Sequence, residues 1–176
     1  TLNSGKFILG DMGSTFENAF ADYLGVKYCV GCASGTDAIT LALRVLDLKP
    51  GDEVLTQTNT CVPTICGIIN SGARPVFCDI FEESAMINPT DLESRITKKT
   101  KVIIPVNLYG ASADYDSLRK ISMKYSIPLI EACAQSHGAK FNGKKTGTFG
   151  KMSWFSFYPT KNLGCYGDGG AIATSD

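Results

Sequence analysis

The stretch VGCASGTDAITLALRVL, residues 30–46, decides the fold because it runs from a strand through small residues directly into a helix. Gly35 lets a ligand approach the backbone, and Thr36 and Asp37 occupy the first turn, where helical N–H groups lack a partner inside the helix. A helix start of this kind binds anions. The same pattern is typical of an ordinary helix cap, so this stretch alone leaves both interpretations open.

Strands and helices alternate on both sides of this stretch. The first helix carries Ser14 and Glu17 in capping-box spacing. Such alternation predicts a three-layer α/β domain, with a largely parallel sheet and helices on both faces. Helices are predicted over residues 14–24, 36–47, 62–72, 89–96 and 114–126, and strands over 27–33, 53–57, 75–80, 101–108 and 128–133, followed by short strands within 139–147, 151–158 and 169–175.

The composition limits the classes of function. A chain of 176 residues with 44% hydrophobic content can bury the core of one domain. Its 17 Lys and Arg residues balance 17 Asp and Glu residues, so nucleic acid and anionic membranes are not expected partners. The longest apolar stretch is interrupted by Arg44 and falls short of the roughly 20 residues that cross a bilayer. No membrane span is therefore expected.

Seven cysteines raise the question of a disulfide or metal site. Most lie in apolar, strand-like segments, where a free cysteine behaves as a small hydrophobe. Cys29 and Cys32 have redox spacing, but they fall within a predicted strand and place their side chains on opposite faces. A zinc site is disfavoured because no second cysteine pair is present and His137 is the single histidine. Reduced thiols predict a cytoplasmic protein.

A second motif, SFYPTKNLGCYGDGGA at residues 156–171, places one lysine between an aromatic strand and a glycine-rich turn. A lone lysine in a loop is usually a surface charge. Lys161 differs from a typical surface lysine. Phe155, Phe157 and Tyr158 are expected to exclude water around it, and the glycines allow close approach of a ligand. A neutral amine attacks carbonyl groups. Together with the anion site, the motif predicts pyridoxal 5'-phosphate as the ligand.

These motifs, together with PGDEVLT, GARPVFCDI, IPVNLYG and AQSHGA, resemble the sugar aminotransferases of the DegT/DnrJ/EryC1/StrS family. The resemblance implies that residues 1–176 form the pyridoxal-phosphate-binding large domain of fold type I, without an N-terminal segment and the C-terminal small domain. It also implies a homodimer that transfers an amino group, usually from L-glutamate, to a nucleoside-diphosphate-linked keto-sugar. The motif FYPTKNLG favours transfer at sugar C3. The expected pathway is surface polysaccharide or deoxyamino-sugar biosynthesis.

The resemblance also assigns roles to particular residues. Lys161 matches the lysine that forms the Schiff base with the cofactor. Gly35 and Thr36 match the phosphate cup, and Ser156 matches a hydroxyl that also holds the phosphate. Gln135 matches the residue near the hydroxyl of the cofactor ring.

Two positions depart from the family pattern. Cys61 falls where an often aromatic residue stacks on the pyridine ring, and a sulfur atom can also pack on a ring face. Ala132 falls where an aspartate normally pairs with the pyridinium nitrogen. Glu131 should point to the opposite face of its strand and so cannot replace that aspartate. Cofactor attachment is therefore expected, with badly impaired proton transfer.

Alternative functions follow from these departures. Ala132 and the short chain favour a catalytically impaired or non-catalytic paralogue or fragment. A related pyridoxal-phosphate-dependent sugar dehydratase carries histidine at the position of Lys161 and is disfavoured. A Rossmann-type nucleotide binder is disfavoured because CASGTDA lacks the three-glycine fingerprint.

Overall fold

The computed structural model describes residues 5–6 and 9–176. Helices lie at Asp11–Leu24 (α1), Gly35–Arg44 (α2), Val62–Asn70 (α3), Pro89–Ser94 (α4) and Tyr115–Tyr125 (α5), with one 3-10 turn at Leu108–Gly110. Strands lie at Tyr28–Cys32 (β1), Glu53–Gln57 (β2), Arg74–Cys78 (β3), Thr100–Ile104 (β4), Ile130–Ala132 (β5), Lys140–Phe141 (β6), Lys144–Lys145 (β7), Met152–Ser156 (β8) and Gly170–Thr174 (β9). No helix within these ranges is both long and apolar enough to cross a bilayer.

Seven strands follow one another in the order β3-β2-β4-β5-β8-β9-β1. The joint between β4 and β5 consists of two isolated parallel bridges, Ile103 to Leu129 and Val106 to Ala132. Strand β9 pairs antiparallel with both of its neighbours, and the other pairs are parallel. The sheet is therefore largely parallel, as the alternation of elements predicts, and its six co-directed strands end at one common edge.

Helices cover both faces of this sheet. Alternate residues of each strand face opposite sides, and the buried residues separate accordingly. Helices α2 and α3 pack on one face around Ile39, Ile68 and Trp154. On the other face, α4 and α5 contribute to one cluster and α1 to another, in which Phe20 meets Phe155. The three-layer α/β fold predicted from the sequence is confirmed.

The first helix begins differently from the expected capping box. It starts at Asp11 after Gly10, with no side-chain cap, and so includes Ser14 within its first turns. The carboxylate of Glu17 instead accepts a hydrogen bond from the Gly31 N–H at 2.7 Å. The capping prediction was wrong because Glu17 connects α1 to strand β1 and does not close its own helix end.

Candidate active site

One pocket of about 300 Å³ opens at the common edge where the parallel strands end. Ligands of open α/β sheets bind at this edge. The walls of the pocket are formed by the segments that follow β1, β2, β5 and β8 and by the segment that leads into β9. The lining residues are Ser34, Gly35, Thr36, Cys61, Pro63, Ala134, Trp154, Ser156, Tyr158, Lys161, Asp168 and Gly169.

Helix α2 points its N-terminus into the pocket. Ser34 caps the helix by accepting a hydrogen bond from the Asp37 N–H at 3.1 Å, and its hydroxyl donates to the Asp37 carboxylate at 2.7 Å. The N–H groups of Gly35 and Thr36 precede the hydrogen-bond ladder of the helix and have no carbonyl partner within it. The positive end of the helix dipole and these amides form an anion cradle.

Ser156 lies directly against this helix start. A Cβ atom on Gly35 would come within 2.7 Å of the Ser156 Cβ, so only glycine permits the approach. Ser156 is the last residue of β8, and its side chain lines the same pocket as Thr36. Gly35, Thr36 and Ser156 are thus brought together, as the family resemblance implies.

Lys161 lies in a tight loop that follows β8. Its backbone N–H donates to the Tyr158 carbonyl at 2.8 Å, and the Cys165 N–H donates to the Phe157 carbonyl at 2.8 Å. A Cβ on Gly164 would come within 2.5 Å of the Pro159 carbonyl oxygen, so the loop depends on a glycine there. The fold of the loop holds the half-buried Lys161 in the wall of the pocket.

The expected aromatic surroundings of this lysine are only partly present. Phe155 and Phe157 face the opposite side of β8, where both rings pack edge-to-face on Phe20 at 4.9 and 5.5 Å between centroids. Strand alternation explains this, because it directs Trp154 and Ser156 to the pocket side. Of the three expected aromatic residues, Tyr158 lines the pocket.

Glu131 lies on the face of the sheet away from the pocket, as alternation predicts. Its fully buried carboxylate accepts hydrogen bonds from the N–H groups of Gly147, Phe149 and Gly150 at 2.6, 2.5 and 2.8 Å. Burial raises the pKa of Glu131 above its ordinary value, and these three donors oppose the rise. Glu131 therefore anchors the 147–150 turn and offers nothing to a ligand in the pocket.

Three other predicted positions lie differently with respect to the pocket. Cys61 lines it and is the residue that precedes α3, with its Sγ atom 3.8 Å from the Thr64 hydroxyl. Gln135 is half-buried, does not line the pocket, and accepts a hydrogen bond from the Tyr109 N–H at 3.0 Å through its side-chain carbonyl. Ala132 is fully buried and does not line the pocket either.

Three lining residues with polar or aromatic side chains were missed by sequence reasoning about site chemistry: Ser34, Trp154 and Asp168. Ser34 had a signal, because it is the small polar residue directly before Gly35. Asp168 had a weaker sequence signal, because it is the acidic residue inside the glycine-rich run. Nothing in the sequence separates Trp154 from an ordinary core residue, since its place depends on the neighbouring strand.

Cys29 and Cys32, which have redox spacing, do not form a disulfide. All seven are free thiols. Burial, with a smaller contribution from Glu17, raises the pKa of Cys29 to about 12, which disfavours the reactive thiolate. In the described part of the chain, no three His, Cys, Asp or Glu side chains come together as a metal site.

The sheet order, with a helix start and a lysine at one edge, defines an α/β protein of the pyridoxal-phosphate-dependent aminotransferase fold. The chain belongs to the DegT/DnrJ/EryC1/StrS aminotransferase family, whose model matches residues 1–176. The family resemblance read from the sequence motifs is thereby confirmed.

Similar proteins include characterised sugar aminotransferases. The chain is 46% identical over 175 residues to UDP-2-acetamido-2-deoxy-3-oxo-D-glucuronate aminotransferase of Pseudomonas aeruginosa, covering 99% of this chain and 49% of that protein. It is 48% identical over 175 residues to dTDP-3-amino-3,6-dideoxy-alpha-D-galactopyranose transaminase of Aneurinibacillus thermoaerophilus, covering 99% and 48%. The crystal structure of S. venezuelae DesV in complex with a ketimine intermediate superimposes with a TM-score of 0.96 at 41% identity, covering 99% and 47%. The chain spans about half the length of these relatives.

Proposed function

We propose that the complete protein is a pyridoxal-phosphate-dependent aminotransferase that moves an amino group from an amino acid, L-glutamate, to C3 of a nucleoside-diphosphate-linked keto-sugar. The observation that carries this proposal is the placement of Lys161 and the N-terminus of α2 in one pocket. The names of the two sequence relatives, a 3-oxo-sugar aminotransferase and a 3-amino-sugar transaminase, support the sugar and the C3 position. Both names also fit surface polysaccharide or deoxyamino-sugar biosynthesis.

The residues present fit pyridoxal phosphate at two of its functional groups. The phosphate needs hydrogen-bond donors and positive potential, which the free amides of Gly35 and Thr36, the Thr36 hydroxyl and the Ser156 hydroxyl would supply. The missing side chain at Gly35 leaves the cradle open beside Ser156. Lys161 would hold the cofactor aldehyde. When bound, the cofactor supplies an electron sink at the α-carbon of the amino donor.

The chain's own residues have three tasks in this reaction. The helix start and Ser156 would hold the phosphate, which would fix the cofactor against rotation. The Nζ atom of Lys161 would accept the proton of the donor α-carbon and deliver it to the carbon that entered as the cofactor aldehyde. Cys61 and Pro63 form the wall contributed by the start of α3, and the Cys61 sulfur would pack on a ring face of the cofactor.

A second candidate is a cofactor-binding protein with impaired transamination. The observation that favours it is the absence of a suitable carboxylate: among the described residues lining the pocket, Asp168 is the single acid, and position 132 is alanine. A ring nitrogen without an acidic partner is a weaker electron sink. In this second candidate, proton transfer by Lys161 would be slow.

We also propose that the protein is a homodimer in the cytoplasm. A second, apolar pocket of about 330 Å³ lies between α1 and the loop after Lys161 and shares Gly169 with the first. Phe16, Leu163 and the fully exposed Tyr166 lie on or beside it. A second copy would cover this apolar surface next to the active site. The seven unpaired thiols support a reducing compartment.

The test is a single-turnover measurement on the complete protein with pyridoxal phosphate and L-glutamate, followed by a UDP- or dTDP-linked 3-keto-sugar. We expect 2-oxoglutarate in the first half-reaction and a 3-amino-sugar in the second. Cofactor attachment to Lys161 with little 2-oxoglutarate would select the impaired candidate. Failure to attach the cofactor at all would overturn both.

A further inference from the structure

His137 packs against two aromatic rings of the segment that carries Lys161. The centre of its imidazole lies 5.4 Å from that of the Phe155 ring and 5.6 Å from that of the Phe157 ring. Both ring nitrogens of His137 are buried, and neither has a hydrogen-bond partner among the described residues. Buried polar groups are normally hydrogen-bonded, so this imidazole calls for an explanation.

Phe157 is the base of the lysine loop. Its N–H donates a hydrogen bond to the Gly169 carbonyl at 2.8 Å, and its carbonyl accepts one from the Cys165 N–H at 2.8 Å. These two bonds close the loop that contains Lys161. Because His137 packs on the Phe157 ring, it supports the loop at the point where the loop is closed.

The tip of the loop also interacts with His137. Burial lowers the pKa of His137 below its ordinary value of 6.5, the Asn162 side chain and the Ser156 backbone oppose this, and the charge of Lys161 adds to it. The imidazole is therefore neutral at neutral pH and offers one donor and one acceptor. The Asn162 amide also offers a donor and an acceptor, so Asn162, directly after Lys161, is the matching partner for the ring.

The phosphate cradle is held by other contacts. Ser156 is paired with Gly170 of β9 in the sheet and lies against Gly35 of α2. Lys161, in contrast, lies outside the strands, and its N–H donates only within the loop, to the Tyr158 carbonyl. A change at His137 should therefore affect the position of Lys161 more than that of the cradle.

We propose that His137 is a positioning residue: it holds the base of the lysine loop through Phe157 and the Lys161–Asn162 turn through the Asn162 side chain. In this way it places the Lys161 amine for attachment of the aldehyde. His137 does not line the pocket, so it acts through these neighbours and does not touch the ligand. The proposal rests on the proposed binding of pyridoxal phosphate.

The test compares two ligands on the complete protein. Pyridoxal phosphate can bond to Lys161, whereas pyridoxamine phosphate has the same ring and phosphate but no aldehyde. Absorbance titration measures attachment of the first, and equilibrium dialysis measures binding of the second. The variants are His137→Phe, which keeps a ring against Phe157 without the nitrogens, Asn162→Ala, and the two combined. Asn70→Ala is the control, because it changes an exposed asparagine of α3.

We expect each single variant to weaken attachment of pyridoxal phosphate by about three- to tenfold, as for one lost hydrogen bond. The double variant should be no weaker than the single ones, since both remove the same interaction. Binding of pyridoxamine phosphate should stay unchanged in all forms, which a general loss of structure would not allow.

Unchanged attachment in Asn162→Ala would overturn the proposal, and so would equal losses for the two ligands or additive losses in the double variant. If His137→Phe does not fold, Asn162→Ala still decides, because Asn162 is exposed and lies outside the core. Failure of the proposed function is distinct, because the unchanged protein would then retain neither ligand.

Discussion

Gly35 at the start of α2 and Ser156 at the end of β8 lie in direct contact across the pocket edge. A Cβ atom added to Gly35 would lie 2.7 Å from the Ser156 Cβ and 3.1 Å from its Oγ. No real Cβ tolerates the first distance without movement of helix or strand. The contact therefore sets the distance between the two elements that hold the phosphate in our account.

Gly35→Ala should weaken both folding and pyridoxal phosphate binding, because it forces α2 away from Ser156. The expected cost of such overpacking is about 1–3 kcal/mol in the free energy of unfolding. Chemical denaturation and cofactor titration measure the two effects. Gly13→Ala is the matched control: it lies in helix α1 and its added Cβ would meet nothing within 4 Å. Equal behaviour of the two variants would contradict the contact.

Thr36→Ala and Ser156→Ala should each weaken pyridoxal phosphate binding by about 1–3 kcal/mol, since each removes a hydroxyl donor to a charged phosphate. Equilibrium dialysis gives the affinities. Thr40→Ala serves as control, because the Thr40 hydroxyl lies one turn further along α2 and donates to the Thr36 carbonyl at 3.0 Å. Unchanged affinity in the Thr36→Ala, Ser156→Ala double variant would remove the phosphate site from this place.

Glu131→Gln should lower the free energy of unfolding by about 1.5–3 kcal/mol, because an amide group cannot accept all three backbone hydrogen bonds of the 147–150 turn. The protonation state of a bound cofactor should not change, since this side chain faces away from the pocket. Urea denaturation measures the loss. The exposed Glu83→Gln is the control. A changed absorbance spectrum of bound pyridoxal phosphate in Glu131→Gln would show that Glu131 reaches the cofactor after all.

Glu53 should make the protein less stable in acid. Its buried carboxylate accepts a hydrogen bond from Thr97 at 2.7 Å and one from Arg74 at 2.6 Å, and these lower the pKa of Glu53 below its ordinary value of 4.5. A lowered folded-state pKa contributes stability above about pH 4.5 that is lost as the pH falls through the folded value. Glu53→Gln should therefore flatten the acid limb of a stability profile. An identical profile in both forms would refute the assignment.

Much of the fold could be predicted because it rests on hydrophobic periodicity and turn residues. Strand β2 occupies residues 53–57 as predicted, and α2 begins within one residue of the expected position. The strand-turn-helix sequence and the lysine loop each carry a local signal, which brought Gly35, Thr36 and Lys161 into one candidate site, and the family resemblance added Ser156.

The parts of the site that could not be predicted depend on which strands are neighbours in the sheet. Trp154 forms a pocket wall only because β8 pairs with β5 in a register that sets it beside Ala132. Phe155 and Phe157 were expected around Lys161, but strand alternation turns them to α1. Gln135 was placed at the cofactor ring by resemblance, and its side-chain carbonyl is used by the Tyr109 N–H. None of these relations is local in the sequence.

The central claim is that Lys161 is the attachment point for pyridoxal phosphate. The most direct measurement is borohydride reduction of the protein incubated with the cofactor, followed by peptide mass spectrometry. We expect the pyridoxyl mass on Lys161 and its loss in Lys161→Ala, with the exposed Lys140→Ala as control. A pyridoxyl mass on Lys144, Lys145 or Lys151 instead, or an adduct that survives in Lys161→Ala, would contradict the account.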